Sequence, residues 1–194
     1  MISYQQVDQR CFPQYDMIPM RVNVSSEYRI EKIDGGLGGF RLIETPVKPY
    51  IKDFCSCADE DESIACWRRW DLSNWAFFMA FEGARPIAGA AVASRTEGVN
   101  MLSGRDDLAV LWDIRVEEAY KQMGIGQALF DMAVNWCRSQ GLRQMKIECQ
   151  NNNVPACKFY RKQGAVLMAV DECAYFGNPK YRHEAQLIWY LDVN

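Results

Sequence analysis

The chain has 194 residues, of which 49% are hydrophobic and 24% charged, and its formal net charge is −3. This composition excludes a disordered or fibrous protein, and the length predicts one domain with a sizeable core. No apolar run is long enough to span a membrane, no signal peptide opens the chain, and no basic stripe suits nucleic acid. We therefore expect a cytoplasmic protein that binds neither membranes nor nucleic acid.

The first part of the chain gives weak structural signals. Residues 1–23 show no clear pattern, whereas alternating apolar residues predict a strand over Tyr28–Ile33. The glycine-rich run Asp34–Gly39 is typical of a flexible loop, because no Lys-Ser or Lys-Thr follows it as in a phosphate loop. A second strand is predicted over Phe40–Thr45, ended by Pro46 and Pro49.

A hairpin is the clearest element before residue 100. A short helix is predicted over Ser63–Trp70, and the strands Trp75–Phe81 and Pro86–Arg95 follow it. A turn over Glu82–Arg85 joins these two strands. The apolar density of the second strand favours a central place in the sheet. The acidic run Asp59–Glu62 either attracts a cationic substrate or forms a solvated loop before the helix.

The cysteines are scattered and predict neither a metal site nor a disulfide framework. Only Cys55 and Cys57 form a close pair, and His183, the one histidine, has no partner motif. Others fall inside predicted elements and indicate small buried apolar residues in a reduced protein. The eight cysteines are Cys11, Cys55, Cys57, Cys66, Cys137, Cys149, Cys157 and Cys173.

The second half contains a strand, a glycine loop and a helix in immediate succession. Alternation predicts a strand over Leu108–Val116, and apolar residues at three- and four-residue spacing predict a helix over Gln127–Gln140. Between them, Gly124 and Gly126 let backbone N–H groups approach a ligand, and the helix N-terminus suits a phosphate. Lys121 adds a cation. The dinucleotide and nucleoside-triphosphate signatures are absent.

A second strand and a shorter helix follow the glycine loop. Leu142–Cys149 predicts a strand, Asn153 can cap the helix, Pro155 fits its first turn, and Gly164 closes it. The final strand is predicted over Ala185–Asp192. The loop Asp171–Glu184 before it carries aromatic and polar residues. That loop either forms one wall of an acceptor site or is a connecting segment that packs against the protein.

The order of these motifs resembles the GNAT acetyltransferase superfamily, whose members transfer acetyl from acetyl-CoA to amines. The family's pyrophosphate signature corresponds here to Lys121-Gln122-Met123-Gly124-Ile125-Gly126, with Lys121 in place of Arg or Gln. A lysine keeps the charge but loses the bidentate geometry of arginine. The family's later signature corresponds to Asn153, Ala156, Phe159-Tyr160 and Gly164.

The resemblance implies an α/β (α+β) fold with a mixed, mostly antiparallel sheet and helices on both faces. Residues 1–194 should form a single domain with its cofactor-binding core at about 108–165. The strands Leu108–Val116 and Arg143–Cys149 should run parallel and splay to admit acetyl-CoA, and no metal is expected. The residues that the resemblance places on acetyl-CoA are Ile114, Arg115, Val116, Lys121, Gln122, Met123, Gly124, Ile125, Gly126, Gln127, Asn153 and Ala156.

Acetylation of an amine needs a base for the ammonium proton and an acid for the leaving thiolate. Asp113 is the first candidate base, because it interrupts an apolar strand. By strand alternation it shares a face with Arg115, and serving as that residue's partner is the alternative role. Glu148 is the second candidate base. The resemblance implies that Tyr160 protonates the thiolate, and a tyrosine packed in the core is the alternative.

Three segments also resemble the streptothricin acetyltransferases of Gram-positive bacteria: residues 112–138, 147–165 and 186–193. This narrower resemblance implies acetylation of the β-amino group in the β-lysine moiety of streptothricin, and so antibiotic resistance. A polyamine or protein-lysine acetyltransferase is the alternative enzyme, and a non-catalytic acyl-CoA-binding module is the alternative class. The acceptor is expected to be a cationic small-molecule amine, and the sequence is compatible with a homodimer.

Overall fold

The computed structural model describes residues 1–54 and 64–193. The strands are β1 Ile2–Val7, β2 Arg21–Lys32, β3 Phe40–Asp53, β4 Trp75–Glu82, β5 Arg85–Ser94, β6 Leu108–Val116, β7 Gln144–Gln150, β8 Val166–Asp171 and β9 Gln186–Asp192. The α-helices are α1 Phe12–Asp16, α2 Ile125–Ser139 and α3 Val154–Lys162. The Cys55–Cys57 pair, the acidic run Asp59–Glu62 and the predicted helix start at Ser63 lie outside the described residues.

The chain divides into two compact units, which are described separately. The first unit comprises Met1–Arg21, Asp53–Ile147 and Leu191–Asn194. The second comprises Val22–Lys52 and Glu148–Tyr190. The strands β7 and β9 contribute residues to both units.

A mostly antiparallel sheet forms the centre of the first unit, with the strand order β1-β4-β5-β6-β7. The predicted hairpin is confirmed, since β4 and β5 pair antiparallel around a turn at Gly83. The parallel pair is confirmed as well: β6 and β7 pair in parallel from Leu108–Gln144 to Leu111–Ile147. The splay beyond that point stays a prediction.

Aromatic packing fills one face of this sheet. Phe12 and Tyr15 of α1 pack against Trp67, and Trp67 stacks on Phe77 of β4 with ring centroids 6.0 Å apart. The buried residues of α2 do not belong to this cluster, and α2 contacts β4, β5 and β6. Because side chains alternate along a strand, α2 covers the opposite face, as the predicted fold requires.

The close contact between α1 and β5 depends on Gly89. A Cβ at this position would lie 2.6 Å from two ring atoms of Tyr15, far inside van der Waals contact. Tyr15 is fully buried, so its ring has no space to retreat. Glycine at position 89 therefore lets the tyrosine ring lie directly on the strand.

The second unit contains a group of paired strands, a separate ribbon and α3. Its strands follow the order β7-β9-β8, with β8 and β9 antiparallel, while β2 and β3 form a two-stranded sheet of their own. The predicted end of the strand at Pro46 and Pro49 is wrong, because β3 runs through both prolines. Each strand of a two-stranded ribbon is an edge strand, where proline is tolerated.

Several other elements differ from the sequence-based expectation. Residues 1–23 contain β1 and α1, and β2 begins at Arg21, well before the predicted Tyr28. The glycine run Asp34–Gly39 forms a hydrogen-bonded turn with a short 3₁₀ segment. The short helix predicted over Ser63–Trp70 is a 3₁₀ helix over Ile64–Arg69, and β8 was not predicted. All these segments are short or exposed, so periodicity marks them weakly.

Candidate functional site

The glycine loop ends in an open helix N-terminus. Gly124 adopts a φ of +81° and precedes α2, which begins at Ile125, two residues earlier than predicted. The first N–H groups of an α-helix have no intrahelical acceptors, and no side chain caps this helix. Gln122 and Met123 are exposed. Apart from its own neighbours along the chain, no described residue comes within 4 Å of a Cβ built on Gly124. The loop therefore offers backbone donors and space, as a pyrophosphate requires.

Lys121 is engaged with protein groups rather than projecting freely. Its Nζ lies 2.6 Å from Glu118 Oε2 and donates to the carbonyl oxygen of Arg21 at 2.7 Å. Its predicted role as a mobile cation at the loop therefore requires it to leave these partners.

The end of β6 leads into this loop. The ladder between β5 and β6 continues to Ala88–Val116, and Glu117 N donates to Ile87 O at 2.9 Å. The parallel ladder with β7 stops earlier, at Leu111–Ile147. Ile114, Arg115 and Val116, which the family resemblance places on the pantetheine arm, therefore lie beyond that ladder but remain held by β5. Gly126 is beside this segment, since a Cβ there would lie 3.6 Å from Val116 Cγ2.

A β-bulge in β6 changes the alternation read from the sequence. Ala91 pairs with Asp113, whereas the next residue of β5, Val92, pairs with Leu111, so Trp112 is the extra residue. Val110 pairs with Ala93, and Ala93 and Ala91 lie on the same face of β5. The bulge thus places Val110 and Asp113 on one face, although simple alternation puts them on opposite faces.

Asp113 and Arg115 form a buried ion pair. Their side chains are 5% and 6% exposed, and Arg115 Nε donates to Asp113 Oδ2 at 2.8 Å. A terminal nitrogen of Arg115 reaches Asp113 Oδ1 at 3.1 Å, and another donates to the carbonyl oxygen of Ile18 at 3.2 Å. Both carboxylate oxygens are therefore occupied by the arginine, and the geometry favours the partner role left open by the sequence.

Tyr15 completes this buried cluster. Its hydroxyl donates to Asp113 Oδ2 at 2.6 Å. Burial and the Asp113 carboxylate raise the pKa of Tyr15 well above its usual value, so the hydroxyl stays a donor. Sequence reasoning missed Tyr15, because it lies 98 residues from Asp113 in a segment without clear periodicity.

Glu148 lies in the second unit, on β7, and is half-buried. Its Oε1 accepts a hydrogen bond of 2.5 Å from the hydroxyl of Tyr175. Gln150, two residues along the strand, donates from Nε2 to the same hydroxyl at 3.2 Å. The sequence indicated Tyr175 only as one aromatic residue of a loop and did not predict its contact with the candidate base.

The short helix α3 has the capping predicted for it. Asn153 is its N-cap residue, and the side chain accepts from Ala156 N at 3.3 Å. Pro155 lies in the first turn, and Gly164, with a φ of +89°, follows the helix. Tyr160 is buried in the second unit, and its ring packs edge-on to Phe159 with centroids 5.6 Å apart. Asn153 therefore has a structural role besides any ligand contact.

The buried cysteines are poor nucleophiles. Burial raises the pKa of Cys137 to about 12, so this thiol stays neutral. Cys149 and Cys157 lie with their sulfur atoms 3.4 Å apart, and this contact together with burial raises the pKa of Cys149. Within residues 1–54 and 64–193, no cysteine forms a disulfide bond. The same part of the chain contains no group of three or more His, Cys, Asp or Glu placed to hold a metal ion.

A strand, a glycine loop and an uncapped helix arranged in this way are typical of an α/β protein with a phosphate site on backbone N–H groups. A model of the acetyltransferase (GNAT) family matches residues 41–165, more than half of the chain. The chain therefore belongs to the GNAT acetyltransferase family, as the two sequence motifs predicted. No described helix is long and apolar enough to cross a bilayer.

Relatives and solved structures support this assignment. The streptothricin acetyltransferase of Escherichia coli is 31% identical over 153 residues, which cover 78% of this chain and 76% of the relative. The crystal structure of nourseothricin acetyltransferase has a TM-score of 0.77 at 21% identity, covering 100% of this chain and 99% of that chain. A Bacillus anthracis protein in complex with acetyl coenzyme A has a TM-score of 0.76 at 21% identity and covers 99% of each chain. At this identity, the two structures show the fold.

These findings define the reaction class. The chain is an N-acetyltransferase that uses acetyl-CoA as its donor. The open loop before α2 is a candidate site for the pyrophosphate of that donor, because Gly124 leaves space where any other residue would place a Cβ. Its backbone N–H groups supply the hydrogen-bond donors.

The ion pair in β6 yields a stability prediction. Replacing Asp113 by Asn should leave the buried guanidinium of Arg115 without a counter-charge, which typically costs about 3 kcal/mol or more. We expect a much lower urea midpoint for Asp113→Asn. As a control, Asp107→Asn removes an exposed carboxylate that pairs with Arg105 at 2.9 Å, and its urea midpoint should barely change. An Asp113→Asn protein of wild-type stability that has lost acetyl transfer would instead identify Asp113 as the base.

Proposed function

We propose that this enzyme acetylates streptothricin on the β-amino group of its β-lysine moiety and thereby confers resistance to the antibiotic. The observation that carries the proposal is the 31% identity with the streptothricin acetyltransferase of Escherichia coli, which extends over 78% of this chain. A match of 153 residues is longer than the cofactor-binding core at about 108–165, so it is not confined to the cofactor motifs. The cytoplasmic location and a homodimer stay predictions.

The donor would be held by the backbone. We propose that N–H groups from Gln122 to Gln127 bind the pyrophosphate, supported by the positive φ of Gly124 and the uncapped start of α2. The segment Ile114–Val116 would bind the pantetheine amides and the acetyl oxygen, as the family resemblance implies. Its register is fixed by β5. Asn153 and Ala156 would contact the pantetheine arm from the start of α3.

Glu148 is the proposed base. The acceptor amine is an ammonium ion at neutral pH and must lose a proton before its nitrogen lone pair can attack the acetyl carbonyl. Both oxygens of Asp113 are held by Arg115, whereas the described contact of Glu148 is the hydrogen bond from Tyr175 to Oε1. Proton transfer to Glu148 therefore does not require a buried ion pair to break.

Tyr160 is the proposed acid. Its hydroxyl would give a proton to the coenzyme A sulfur as the carbon–sulfur bond breaks, which avoids the release of a free thiolate. The support is its place in the second family motif, next to Phe159, on a short helix whose start is fixed by the Asn153 cap. Its buried position also keeps the rotamer restricted.

An acceptor panel tests the substrate. Coenzyme A release should be measured with streptothricin, with spermidine, with a lysine-containing peptide and without an acceptor, and fragmentation mass spectrometry should locate the added acetyl group. We expect the highest kcat/KM for streptothricin and a mass increase confined to the β-lysine moiety. A preference for spermidine or the peptide would establish the alternative enzyme. Absence of acceptor-dependent release would indicate an acyl-CoA-binding module.

The glycine loop gives a prediction on donor affinity. Gly124→Val adds a branched side chain at a positive φ and covers the backbone donors, so acetyl-CoA binding should weaken by more than about tenfold, or about 1.4 kcal/mol. The matched control is Gly104→Val, at a turn with a φ of +66° and the same open surroundings. Calorimetry should show a loss of affinity for the first variant alone. Wild-type affinity in folded Gly124→Val would refute the placement.

The acid role of Tyr160 gives a prediction on rate. Tyr160→Phe removes the hydroxyl and preserves the ring, so the chemical step should slow by about 10²-fold to 10⁴-fold while acetyl-CoA affinity is kept. Single-turnover mixing of the enzyme–donor complex with acceptor measures this step directly. An unchanged single-turnover rate would assign Tyr160 to packing and the proton to another donor.

A further inference from the structure

The loop between β8 and β9, residues 172–185, is ordered by hydrogen bonds within the loop and to Asp171 and Asn151. At its start, Cys173 N donates to Asp171 Oδ1 at 2.7 Å. In its second half, the backbone N–H groups of Tyr181 and Arg182 both donate to the carbonyl oxygen of Asn178. At its end, Ala185 N donates to Asn151 Oδ1 at 2.8 Å. The side chains of this loop are therefore presented from a defined backbone.

The exit of the loop is fixed by a buried charge cluster. Glu184 is 5% exposed, and its carboxylate bonds to Lys52 Nζ at 2.5 Å and to Asn152 Nδ2 at 3.0 Å. Asn152 lies in the turn between β7 and α3, directly before the helix cap Asn153. The loop is thus attached to the turn that follows the strand of Glu148.

Within this loop, Tyr175 reaches β7. Glu148 and Gln150 lie two residues apart and point to the same face of the strand, while Ile147 and Cys149 are buried on the other face. Gln150 Nε2 donates to the Tyr175 hydroxyl, which occupies one of its lone pairs. A carboxylate can only accept, so the hydroxyl proton must point to Glu148 Oε1, 2.5 Å away. The three side chains form a chain of hydrogen bonds with a single direction.

The hydroxyl keeps this direction across the working pH range. Burial, followed by the Glu148 carboxylate, raises the pKa of Tyr175 well above its usual value. Tyr175 therefore stays protonated and continues to donate. A hydrogen bond to one carboxylate oxygen restricts the rotation of the Glu148 side chain and fixes where the second oxygen lies.

We propose that Tyr175 is a positioning residue for the acceptor: it orients the Glu148 carboxylate so that Oε2 binds the acceptor ammonium and takes its proton. The proposal rests on the proposed function, because it assigns Glu148 to the acceptor amine. In this step the ammonium loses one proton and becomes a neutral amine, and the carboxylate gains that proton and becomes a carboxylic acid. Tyr175 itself neither gains nor loses a proton.

A double-mutant cycle tests this role. Tyr175→Phe, Glu148→Gln and the double variant should be compared with the wild type for streptothricin binding by calorimetry in saturating coenzyme A, and for acceptor kcat/KM. Tyr175→Phe should weaken acceptor binding by about tenfold, or about 1.4 kcal/mol, because Glu148 loses the hydrogen bond that orients it. In the Glu148→Gln background the same change should have less than about a twofold effect, because Tyr175 acts through Glu148.

Two measurements separate positioning from a structural contribution. The KM for acetyl-CoA should stay at the wild-type value in Tyr175→Phe, whereas the acceptor parameters change. Tyr4→Phe, which removes a hydroxyl from a partly exposed side chain on β1, should change neither. An equal loss from Tyr175→Phe in both backgrounds, or no loss in either, would overturn the positioning role.

The outcome also separates this inference from the proposed substrate. A wild-type enzyme that acetylates streptothricin but shows additive effects in the cycle refutes the role of Tyr175 and leaves the function intact. A wild-type enzyme that neither binds nor acetylates streptothricin refutes the substrate, and the same cycle with spermidine then decides the role of Tyr175. Failure to bind either amine would overturn both proposals.

Discussion

The buried ion pair between Asp113 and Arg115 is the constraint on which the first unit depends. Two opposite charges that are 5% and 6% exposed can remain there only if each polar atom has a partner. Tyr15 and the carbonyl oxygen of Ile18 supply the partners that the pair itself lacks. The ion pair therefore links the α1 region to β6, and Gly89 makes this possible by letting the Tyr15 ring lie on β5.

The same cluster fixes the part of β6 that leads to the donor loop. The bulge at Trp112 turns Asp113 to the face occupied by Tyr15, and Arg115 follows two residues later on that face. Ile114 and Val116 are then held between residues whose orientation is fixed, and the chain continues through a short turn to Gly124. Charge burial thus gives rigidity to a segment whose backbone, in the proposed function, binds the donor.

In the second unit, three consecutive asparagines in the turn between β7 and α3 connect neighbouring elements through hydrogen bonds. Asn151 donates to the carbonyl oxygen of Tyr28 and accepts from Ala185 N, which connects β2 to the exit of the β8–β9 loop. Asn152 binds Glu184, and Asn153 caps α3. An amide side chain can donate and accept at once, as Asn151 does here. The short helix with Tyr160 therefore begins at this turn, and the end of the loop with Tyr175 is attached to the same turn.

The sequence by itself determined the elements whose signals are local. The strand β6, the glycine loop, α2 with its apolar stripe, the cap of α3 and the central hairpin follow from periodicity, glycine and capping residues within a few positions of one another. Together with the motif spacing, these elements were sufficient to predict the family and acetyl-CoA as the acetyl donor.

Only the tertiary structure decided which candidate site residues already bind other groups of the protein. Asp113 is held by Arg115 and Tyr15, Lys121 by Glu118 and the carbonyl of Arg21, and Glu148 is reached by Tyr175. The passage of β3 through two prolines and the bulge in β6 also depend on neighbouring strands. The contacts of Tyr15 with Asp113, of Lys121 with Arg21 and of Tyr175 with Glu148 join residues that are 98, 100 and 27 positions apart. No local pattern specifies such contacts, because packing and hydrogen bonding act on whichever groups the fold brings together.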